Sequence, residues 1–398
     1  MSIPFFNYPE LFTRDESNLI EIFKDVGSRG AFIMQKDLKD FEERLADFTG
    51  AKYALGVANA TDGLQIGIMA GRSKKQGEIL FSSHTMVATA SAIHFAGYNP
   101  IPVEAGHDLM IDPVSIEESI TDKTVAIMPT HLNGRTCNMD PIMELADKYS
   151  LEVYEDAAQA LGSKYKGKAA GTFGVASAIS LYPAKILGCF GDGGAVLTND
   201  EEVYRRMELL RDHGRDSETG EVLTWGFNSR LDNLQAAFLN YFMINYQSVI
   251  SRRREIAKNY DEGLSGIEEL TLPEPPNNGD HFDVYQNYEI KALNRDGLKN
   301  YLADKGIGSL VQWSGKAVHQ FTDLGFKKEL PYTDKMFEEL LMIPLNMFIT
   351  DQDVEPVYLR RAVIAVPKGN PKNINGIKDL LEKPARIVVT EGLGVYNT

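Results

Sequence analysis

The apolar positions in the first half of the chain follow two different spacings. Short apolar runs at Tyr53–Val57 and Glu78–Ser82 are bounded by polar residues or glycine, as is typical of buried strands. Residues 36–48 instead place an apolar side chain every three or four positions, and this spacing predicts an amphipathic helix. The chain therefore begins with helical and strand patterns in close succession.

The same alternation continues along the chain. It predicts strands over 100–103, 124–131, 153–156 and 175–181, and helices over 113–120, 141–149 and 201–213. Strands that alternate with helices of about ten residues indicate a mostly parallel sheet with helices on both faces. In such sheets, ligands bind beyond the carboxyl ends of the strands.

A second, smaller α/β region follows in the pattern. A long helix over 248–264, a strand over 286–291, a helix over 295–305 and a strand over 308–313 are predicted there. We therefore divide the chain into a large domain over 1–246, a small C-terminal domain over 247–355 and an atypical tail over 356–398. The basic run at 252–254 is expected to be a solvated helix face.

Composition excludes several classes of partner. The chain has 398 residues and a formal net charge of −15, whereas nucleic acids and anionic membranes favour basic surfaces. Cys137 and Cys189 lack the spacing of a metal or redox motif, so no metal site is expected. The N-terminus has no basic segment of a signal peptide, and no apolar run reaches membrane-spanning length. The expected compartment is the cytoplasm.

Two candidate chemical groups lie at predicted strand ends. Asp156 ends one strand, and Lys185 comes just after another, followed by four glycines between 188 and 194. A lysine that forms a Schiff base and an aspartate that keeps a pyridine nitrogen protonated are what a pyridoxal phosphate enzyme needs. Taken alone the pair is weak evidence, because such a lysine is often on the surface and such an aspartate is often a helix cap.

The surrounding sequence strengthens this interpretation. D-A-A-Q at 156–159 and S-L-Y-P-A-K-I-L-G-C-F-G-D-G-G-A at 180–195 resemble the core signature of the DegT/StrS-type sugar aminotransferases. The resemblance covers about residues 1–355. It implies a fold-type-I architecture with pyridoxal 5′-phosphate (PLP) as cofactor, and a homodimer with shared active sites. The implied reaction moves an amino group, with glutamate as the expected donor, onto a keto or aldehyde carbon of a sugar. The sugar is expected to be linked to a nucleotide. The expected role of the reaction is in the biosynthesis of surface polysaccharides or amino sugars.

The resemblance also assigns roles to residues. Lys185 is the implied catalytic residue, Asp156 pairs with the ring nitrogen, and Gln159 bonds the ring hydroxyl. The implied phosphate ligands are Ala60, Thr61, Ser180 and Asn228 of the partner subunit, with Ala60 standing where the family usually has glycine. An aromatic side chain normally covers the ring; here the candidates are Met86 and His84. Asn228 would alternatively cap a helix beginning near Arg230.

Several residues are candidates for contacting the substrate. These are His84, Asn133, Arg135, Tyr182, Arg230, Lys316 and His319. A strand-to-helix turn would explain Asn133 and Arg135 equally well, and we favour an internal salt bridge for Arg230.

Other functions fit the sequence less well. Sugar dehydratases of the same fold carry histidine in place of the Schiff-base lysine, whereas Lys185 is present here. A PLP-binding regulator without turnover is a further alternative. A G-x-x-x-x-G-K match ending at Lys168 is followed by Ala169 rather than Ser or Thr and falls in a predicted hairpin, so a P-loop is not expected. The tail over 356–398 resembles a fragment of a periplasmic solute-binding protein, but it is too short to form a binding domain.

Overall fold

The computed structural model describes residues 3–71, 77–275, 279–351 and 353. The predicted tail over 356–398 lies outside these residues. The described chain is an α/β protein built on one large sheet, with a smaller sheet near its C-terminal end.

The elements follow one another in this order. The helices are α1 (Tyr8–Thr13), α2 (Glu16–Arg29), α3 (Lys36–Thr49), α4 (Ala60–Ala70), α5 (Val87–Phe95), α6 (Pro113–Ser119), α7 (Met139–Tyr149), α8 (Glu201–Arg211), α9 (Asn233–Met243), α10 (Tyr246–Leu264), α11 (Arg295–Asp304) and α12 (Pro331–Glu339). The strands are β1 (Tyr53–Val57), β2 (Glu78–Ser82), β3 (Asn99–Val103), β4 (Thr124–Met128), β5 (Glu152–Asp156), β6 (Lys164–Tyr165), β7 (Lys168–Ala169), β8 (Ala176–Ser180), β9 (Gly194–Thr198), β10 (Leu270–Thr271), β11 (His281–Phe282), β12 (Tyr288–Ala292) and β13 (Leu340–Ile343).

The large sheet has seven strands in the order β1-β9-β8-β5-β4-β2-β3. The pairs from β8 through β5, β4 and β2 to β3 are parallel, whereas β9 runs antiparallel to both β8 and β1. The predicted mostly parallel sheet is therefore confirmed. Its parallel strands end along one rim, which is where a ligand is expected.

Helix α4 crosses the sheet closely because it carries glycine at the contact. A Cβ atom on Gly63 would lie 3.2 Å from the Cβ of Ala178 on β8, and one on Gly67 would lie 3.1 Å from the Cβ of Ala176. Small residues on both elements thus bring the start of α4 against the sheet. Side chains of β1 alternate between two apolar clusters, as expected for a strand buried on both faces.

The smaller sheet has the order β10-β12-β13 and is antiparallel. Its core joins α10 to the sheet through Tyr260, Tyr288 and Leu341, all fully buried. The short strand β11 instead pairs with the β6–β7 hairpin. That hairpin confirms the expectation that the glycine-lysine match at Lys168 is not a P-loop.

Three local expectations are wrong. Residues 308–313 form one bridge, at Leu310, rather than a strand, and the segment enters a 3-10 turn at Gln312 in which Trp313 and Ser314 are left-handed. Helix α9 begins at Asn233, so Asn228 does not cap a helix near Arg230. Arg253, expected in a solvated face, is buried and donates from Nε to the carbonyl of Tyr285 at 2.7 Å.

Candidate active site

The rim of the large sheet brings the predicted cofactor residues together. Asp156 is the last residue of β5, and Ser180 is the last residue of the neighbouring strand β8. The loop after β8 carries Lys185, whose charge interacts with that of Asp156. The parallel arrangement of β5 and β8 is what puts these three residues at one edge.

Asp156 is 4% exposed, and two hydrogen-bond donors contact its carboxylate among the described residues. Thr89 Oγ1 donates to Oδ2 at 2.6 Å, and the backbone N–H of Ala158 donates to Oδ1 at 3.1 Å. Burial raises the pKa of the Asp156 carboxyl, while these hydrogen bonds and the charge of Lys185 lower it. A carboxylate has lone pairs beyond these two bonds, so Asp156 retains capacity for a further donor.

Lys185 has no hydrogen-bond or ion-pair partner for its ammonium within the described ranges. Burial lowers the pKa of Lys185 to about 8, against the opposing effect of the Asp156 charge. A lysine amine that is desolvated and unpaired is suited to act as a nucleophile or a base.

The glycines after Lys185 allow close backbone packing around its loop. A Cβ atom on Gly188 would lie 2.8 Å from the carbonyl oxygen of Tyr182, and one on Gly193 would lie 2.5 Å from Cys189 Sγ. At Gly194 a Cβ atom would lie 2.7 Å from the backbone nitrogen of Ala60. Side chains at these positions would push the loop away from the sheet and from the start of α4.

The start of α4 is therefore held against the rim. Its N-cap is Asn59, whose side chain accepts a hydrogen bond from the backbone of Asp62 at 2.9 Å. Ala60 and Thr61 occupy the first two helical positions and are half-buried. The free N–H groups and the positive dipole end of a helix attract an anion such as phosphate. Ser180 is half-buried at the same rim.

Gln159 lies just beyond Asp156, with its amide oxygen already engaged. Its Oε1 accepts from the backbone N–H of Asn133 at 2.9 Å and from Asn287 Nδ2 at 3.3 Å. Among the described residues Gln159 Nε2 has no hydrogen-bond acceptor, so this N–H₂ group can donate to a ligand.

Met86 and His84 are placed very differently. Met86 precedes α5 and is 54% exposed. His84 is fully buried, with its ring packed edge-on against Trp313 and Phe337. Its Nδ1 lies 2.9 Å from the carbonyl oxygen of Leu109. Of the two, Met86 is the side chain with an accessible surface.

Several candidate substrate residues are fixed by internal contacts. Arg135 forms a 2.6 Å ion pair with Asp283, and Arg230 forms a 2.9 Å ion pair with Asp212. His319 is buried between Ser83, at 2.7 Å, and Asp334, at 3.0 Å. The side chain of Asn133 lies in a polar cluster, where its amide donates to Glu289.

Two other substrate candidates, Tyr182 and Lys316, and the phosphate candidate Asn228 are open to solvent. Tyr182 is half exposed beside the Lys185 loop, and Lys316 is exposed three residues before the buried His319. Asn228 is exposed as well, in a segment where Trp225 is 95% exposed. Val222 and Leu223 in the same segment are also exposed, and such a group of exposed apolar side chains marks a surface that another molecule can cover.

Some residues around the site carry no signal in the sequence. The hydroxyls of Thr130, Thr85 and Thr89 form a buried chain of hydrogen bonds, 3.1 and 2.7 Å long, that ends on Asp156. Glu289 on β12 and Gln312 bond to Asn133 from the opposite side. Threonine, glutamate and glutamine occur throughout any protein sequence, so these residues do not stand out as site residues. The T-x-x-x-T spacing of Thr85 and Thr89 at the start of α5 is the one local pattern that could have indicated two neighbouring hydroxyls.

The residues at the rim fit a PLP group. An unpaired lysine amine, a buried carboxylate with spare acceptor capacity and the start of α4 correspond to the aldehyde, ring nitrogen and phosphate of that cofactor. The amide N–H₂ of Gln159, which has no partner within the described part of the chain, suits the ring hydroxyl. Among the described helices, none combines the length and apolar character that a membrane crossing requires.

The chain resembles named proteins along most of its length. It is 32% identical to the "Pleiotropic regulatory protein" of Geobacillus stearothermophilus, over 87% of this chain and 94% of that protein. It is 35% identical to the dTDP-3-amino-3,6-dideoxy-alpha-D-galactopyranose transaminase of Aneurinibacillus thermoaerophilus, over 89% and 97% of the two chains. A crystal structure of NtdA from Bacillus subtilis with bound cofactor PMP has a TM-score of 0.82 and 28% identity, over 90% of this chain and 84% of that one.

These likenesses agree with the expected fold and enzyme class. A family model matches residues 13–360, which extends slightly beyond the expected end of the resemblance. The chain belongs to the DegT/DnrJ/EryC1/StrS aminotransferase family.

Proposed function

We propose that this protein is a PLP-dependent aminotransferase that moves an amino group from an amino acid, glutamate first among candidates, onto a keto carbon of a nucleotide-linked sugar. The observation that carries the proposal is Lys185: its amine is buried, interacts with the charge of Asp156, and has no hydrogen-bond or ion-pair partner among the described residues. The sugar-transaminase names of relatives support the substrate class.

The bound cofactor would supply an aldehyde for amine exchange and a ring that accepts electrons from the substrate carbon. Lys185 would hold the cofactor and then, once freed, carry a proton between two carbon atoms. Asp156 would accept a hydrogen bond from the ring nitrogen and keep it protonated. Gln159 would donate to the ring hydroxyl through Nε2.

The phosphate would bind where α4 begins. Backbone N–H groups at Ala60 and Thr61, together with the Thr61 and Ser180 hydroxyls, are the donors available on this chain. Met86 would pack against the ring face, since a thioether makes favourable contacts with aromatic systems. Tyr182 and Lys316, both open to solvent, are the favoured contacts for the sugar substrate.

We propose a cytoplasmic homodimer in which Asn228 of each subunit completes the other's phosphate site. Asn228 is exposed in its own subunit, and Trp225 beside it exposes nearly its whole side chain. Phe32 and Ile33 add further exposed apolar surface. An interface over this surface would cover these side chains and bring Asn228 to the neighbouring site.

Mixing two inactive variants tests the shared site. If Lys185→Ala and Asn228→Asp subunits are dissociated and reassembled together, each mixed dimer regains one intact site, so about a quarter of the normal number of sites return. Sites contained within one subunit would regain none. Mixing each variant with itself is the control.

A second function rests on one observation. One relative is named as a regulatory protein, and this name favours, as the second candidate function, a regulator that binds the cofactor without catalysing turnover. Turnover of a keto-sugar by the wild-type protein would exclude this alternative.

The spectrum of the purified protein tests the proposed chemistry. Wild type reconstituted with PLP should show a visible absorption band that glutamate bleaches, because complete transfer of the glutamate amino group would convert PLP to its amine form, PMP, and release a keto acid, which removes the conjugated C=N bond. Lys185→Ala should bind PLP without that response, and exposed Lys299→Ala should behave as wild type. Wild-type protein with no visible band would reject the proposal.

A further inference from the structure

A buried carboxylate on the smaller sheet reaches the turn that contacts Gln159. Glu289 on β12 is 2% exposed. Its Oε2 accepts from Asn133 Nδ2 at 2.7 Å, and its Oε1 accepts from Gln312 Nε2 at 2.9 Å. His84 Nε2 lies 3.7 Å from Oε2, beyond hydrogen-bond range. The two amides are therefore the hydrogen-bond donors of this carboxylate among the described residues.

The carboxylate fixes which way the Asn133 amide points. A carboxylate only accepts hydrogen bonds, so the Asn133 atom that faces it must be the nitrogen. The other end of that amide is then the oxygen, and Oδ1 accepts from Asn287 Nδ2 and from Gln312 Nε2, each at 2.9 Å. Through these bonds the Glu289 carboxylate, which only accepts, orients the amides of Asn133, Gln312 and Asn287.

The same logic reaches Gln159. A backbone N–H only donates, so the Gln159 atom 2.9 Å from the Asn133 nitrogen must be Oε1. Asn287 Nδ2, already oriented by Asn133, donates to that oxygen at 3.3 Å. Gln159 therefore presents its N–H₂ group, not its oxygen, to the cofactor side.

The turn that makes this contact is in an uncommon conformation. Asn133 has φ of 54° and Gly134 has φ of 88°, both in the left-handed region. A Cβ atom on Gly134 would lie 2.5 Å from the backbone nitrogen of Tyr285. The bond to Glu289 secures the Asn133 side chain in this turn, which aims its backbone N–H at Gln159.

We propose that Glu289 is a positioning residue of the active site: it orients the side-chain amides of Asn133 and Asn287 and secures the turn whose backbone N–H bonds Gln159 Oε1, so that Gln159 donates a hydrogen bond to the ring hydroxyl of PLP. This inference rests on the proposed PLP function. Its role is assigned through the two amides that it bonds, those of Asn133 and Gln312.

The test removes the acceptor-only character of Glu289 without changing its shape. In Glu289→Gln, an N–H₂ group faces either Asn133 Nδ2 or Gln312 Nε2, and one amide must flip to avoid two opposed donors. We expect a shift of the visible band and about tenfold weaker PLP binding, the effect of one hydrogen bond. Glu268→Gln, at an exposed position of the same region, is the matched control and should leave both unchanged.

A charge-preserving swap keeps the test decisive. In Asn133→Asp/Glu289→Gln, the new carboxylate at 133 accepts from the new amide at 289 and from Asn287, so both readouts should return to wild-type values. If Glu289→Gln does not fold, as judged by circular dichroism, the swap variant alone carries the test. A second check uses Gln159→Ala. Adding Glu289→Gln to this variant should not shift its visible band any further, because the amide that Glu289 positions is already gone.

The outcomes separate this inference from the proposed function. Wild-type protein without a PLP band would remove the proposed function and this inference with it. A normal wild-type band together with Glu289→Gln equal to Glu268→Gln, or a swap variant no better than Glu289→Gln, would overturn the inference alone.

Discussion

Glu155 and Asp156 are neighbours on β5, yet their carboxylates serve opposite faces of the large sheet. Glu155 is fully buried and accepts four hydrogen bonds. They come from His131 Nε2 at 2.9 Å and from the backbone of Gly171, Phe173 and Gly174 at 2.7 Å each. Asp156 accepts two, from Thr89 and Ala158.

The difference shows how the same functional group is used for structure or for chemistry. All four donors of Glu155 belong to two loops, which it holds together, and no acceptor position is left for a ligand. Asp156 has spare acceptor capacity, and its charge interacts with that of Lys185. Saturation with internal donors, rather than burial or charge, distinguishes the two residues.

The largest effect is expected at Glu155. Glu155→Ala would leave four buried donors without an acceptor, and we expect it to lower the free energy of unfolding by about 5 kcal/mol or more. Urea unfolding of the cofactor-free protein measures this change, with Glu268→Ala as the exposed control. A loss below about 2 kcal/mol would mean that the loops do not depend on this carboxylate.

Asp156→Asn should show the opposite pattern. We expect transaminase activity to fall about 10²–10³-fold, equivalent to about 3–4 kcal/mol, because the amide no longer stabilises a charged ring nitrogen. Stability should change by less than about 1.5 kcal/mol, since Thr89 can accept from the new N–H₂ group. Steady-state kinetics and urea unfolding, measured side by side, provide the check; equal losses in both would erase the contrast with Glu155.

Lys185→Met should stabilise the cofactor-free protein. The pKa of Lys185 is lowered to about 8 in the folded state, so between that pH and the unfolded value of about 10.4 the unfolded chain holds more protons. Wild-type stability therefore rises with pH in this window. The advantage of the variant should be about 3 kcal/mol at pH 7 and about 2 kcal/mol at pH 9.

Unfolding curves at the two pH values measure this advantage. Lys299→Met, at an exposed site, is the control for replacing a lysine that is not buried. An advantage that is constant with pH would indicate that the methionine side chain packs better than the lysine, rather than that a buried charge was removed.

Much of the large sheet could be predicted from the sequence because its signals are local. Strands β1 and β2 match their predicted bounds, since each is a short apolar run between polar or glycine residues. The rule for parallel strand ends then placed Asp156 and Lys185 on one rim without any knowledge of distances. The alternative role predicted for Asn228, as the cap of a helix near Arg230, is wrong, because helix α9 begins only at Asn233.

The surroundings of the site were not predictable in this way. Glu289, Asn133 and Gln159 come from distant parts of the chain, and nothing in their local sequence marks them as neighbours. Arg253 shows the same difficulty, because a basic run on a helix does not reveal that carbonyl groups of a folded loop will surround one of its members. Polar networks depend on tertiary structure, which periodicity does not describe.

The antiparallel strand β9 has a consequence for the order in which the chain folds. It is the sheet partner of β1, so the backbone groups of residues 53–57 stay unpaired until residues 194–198 are in place. Contacts between such distant segments form slowly, because a long loop must close first. During synthesis, the loop that carries Lys185 leaves the ribosome before β9 does, so the edge of the sheet closes only after the reactive lysine has been made. A chain stopped short of residue 194 would leave β1 as an unpaired edge, open to association with other chains.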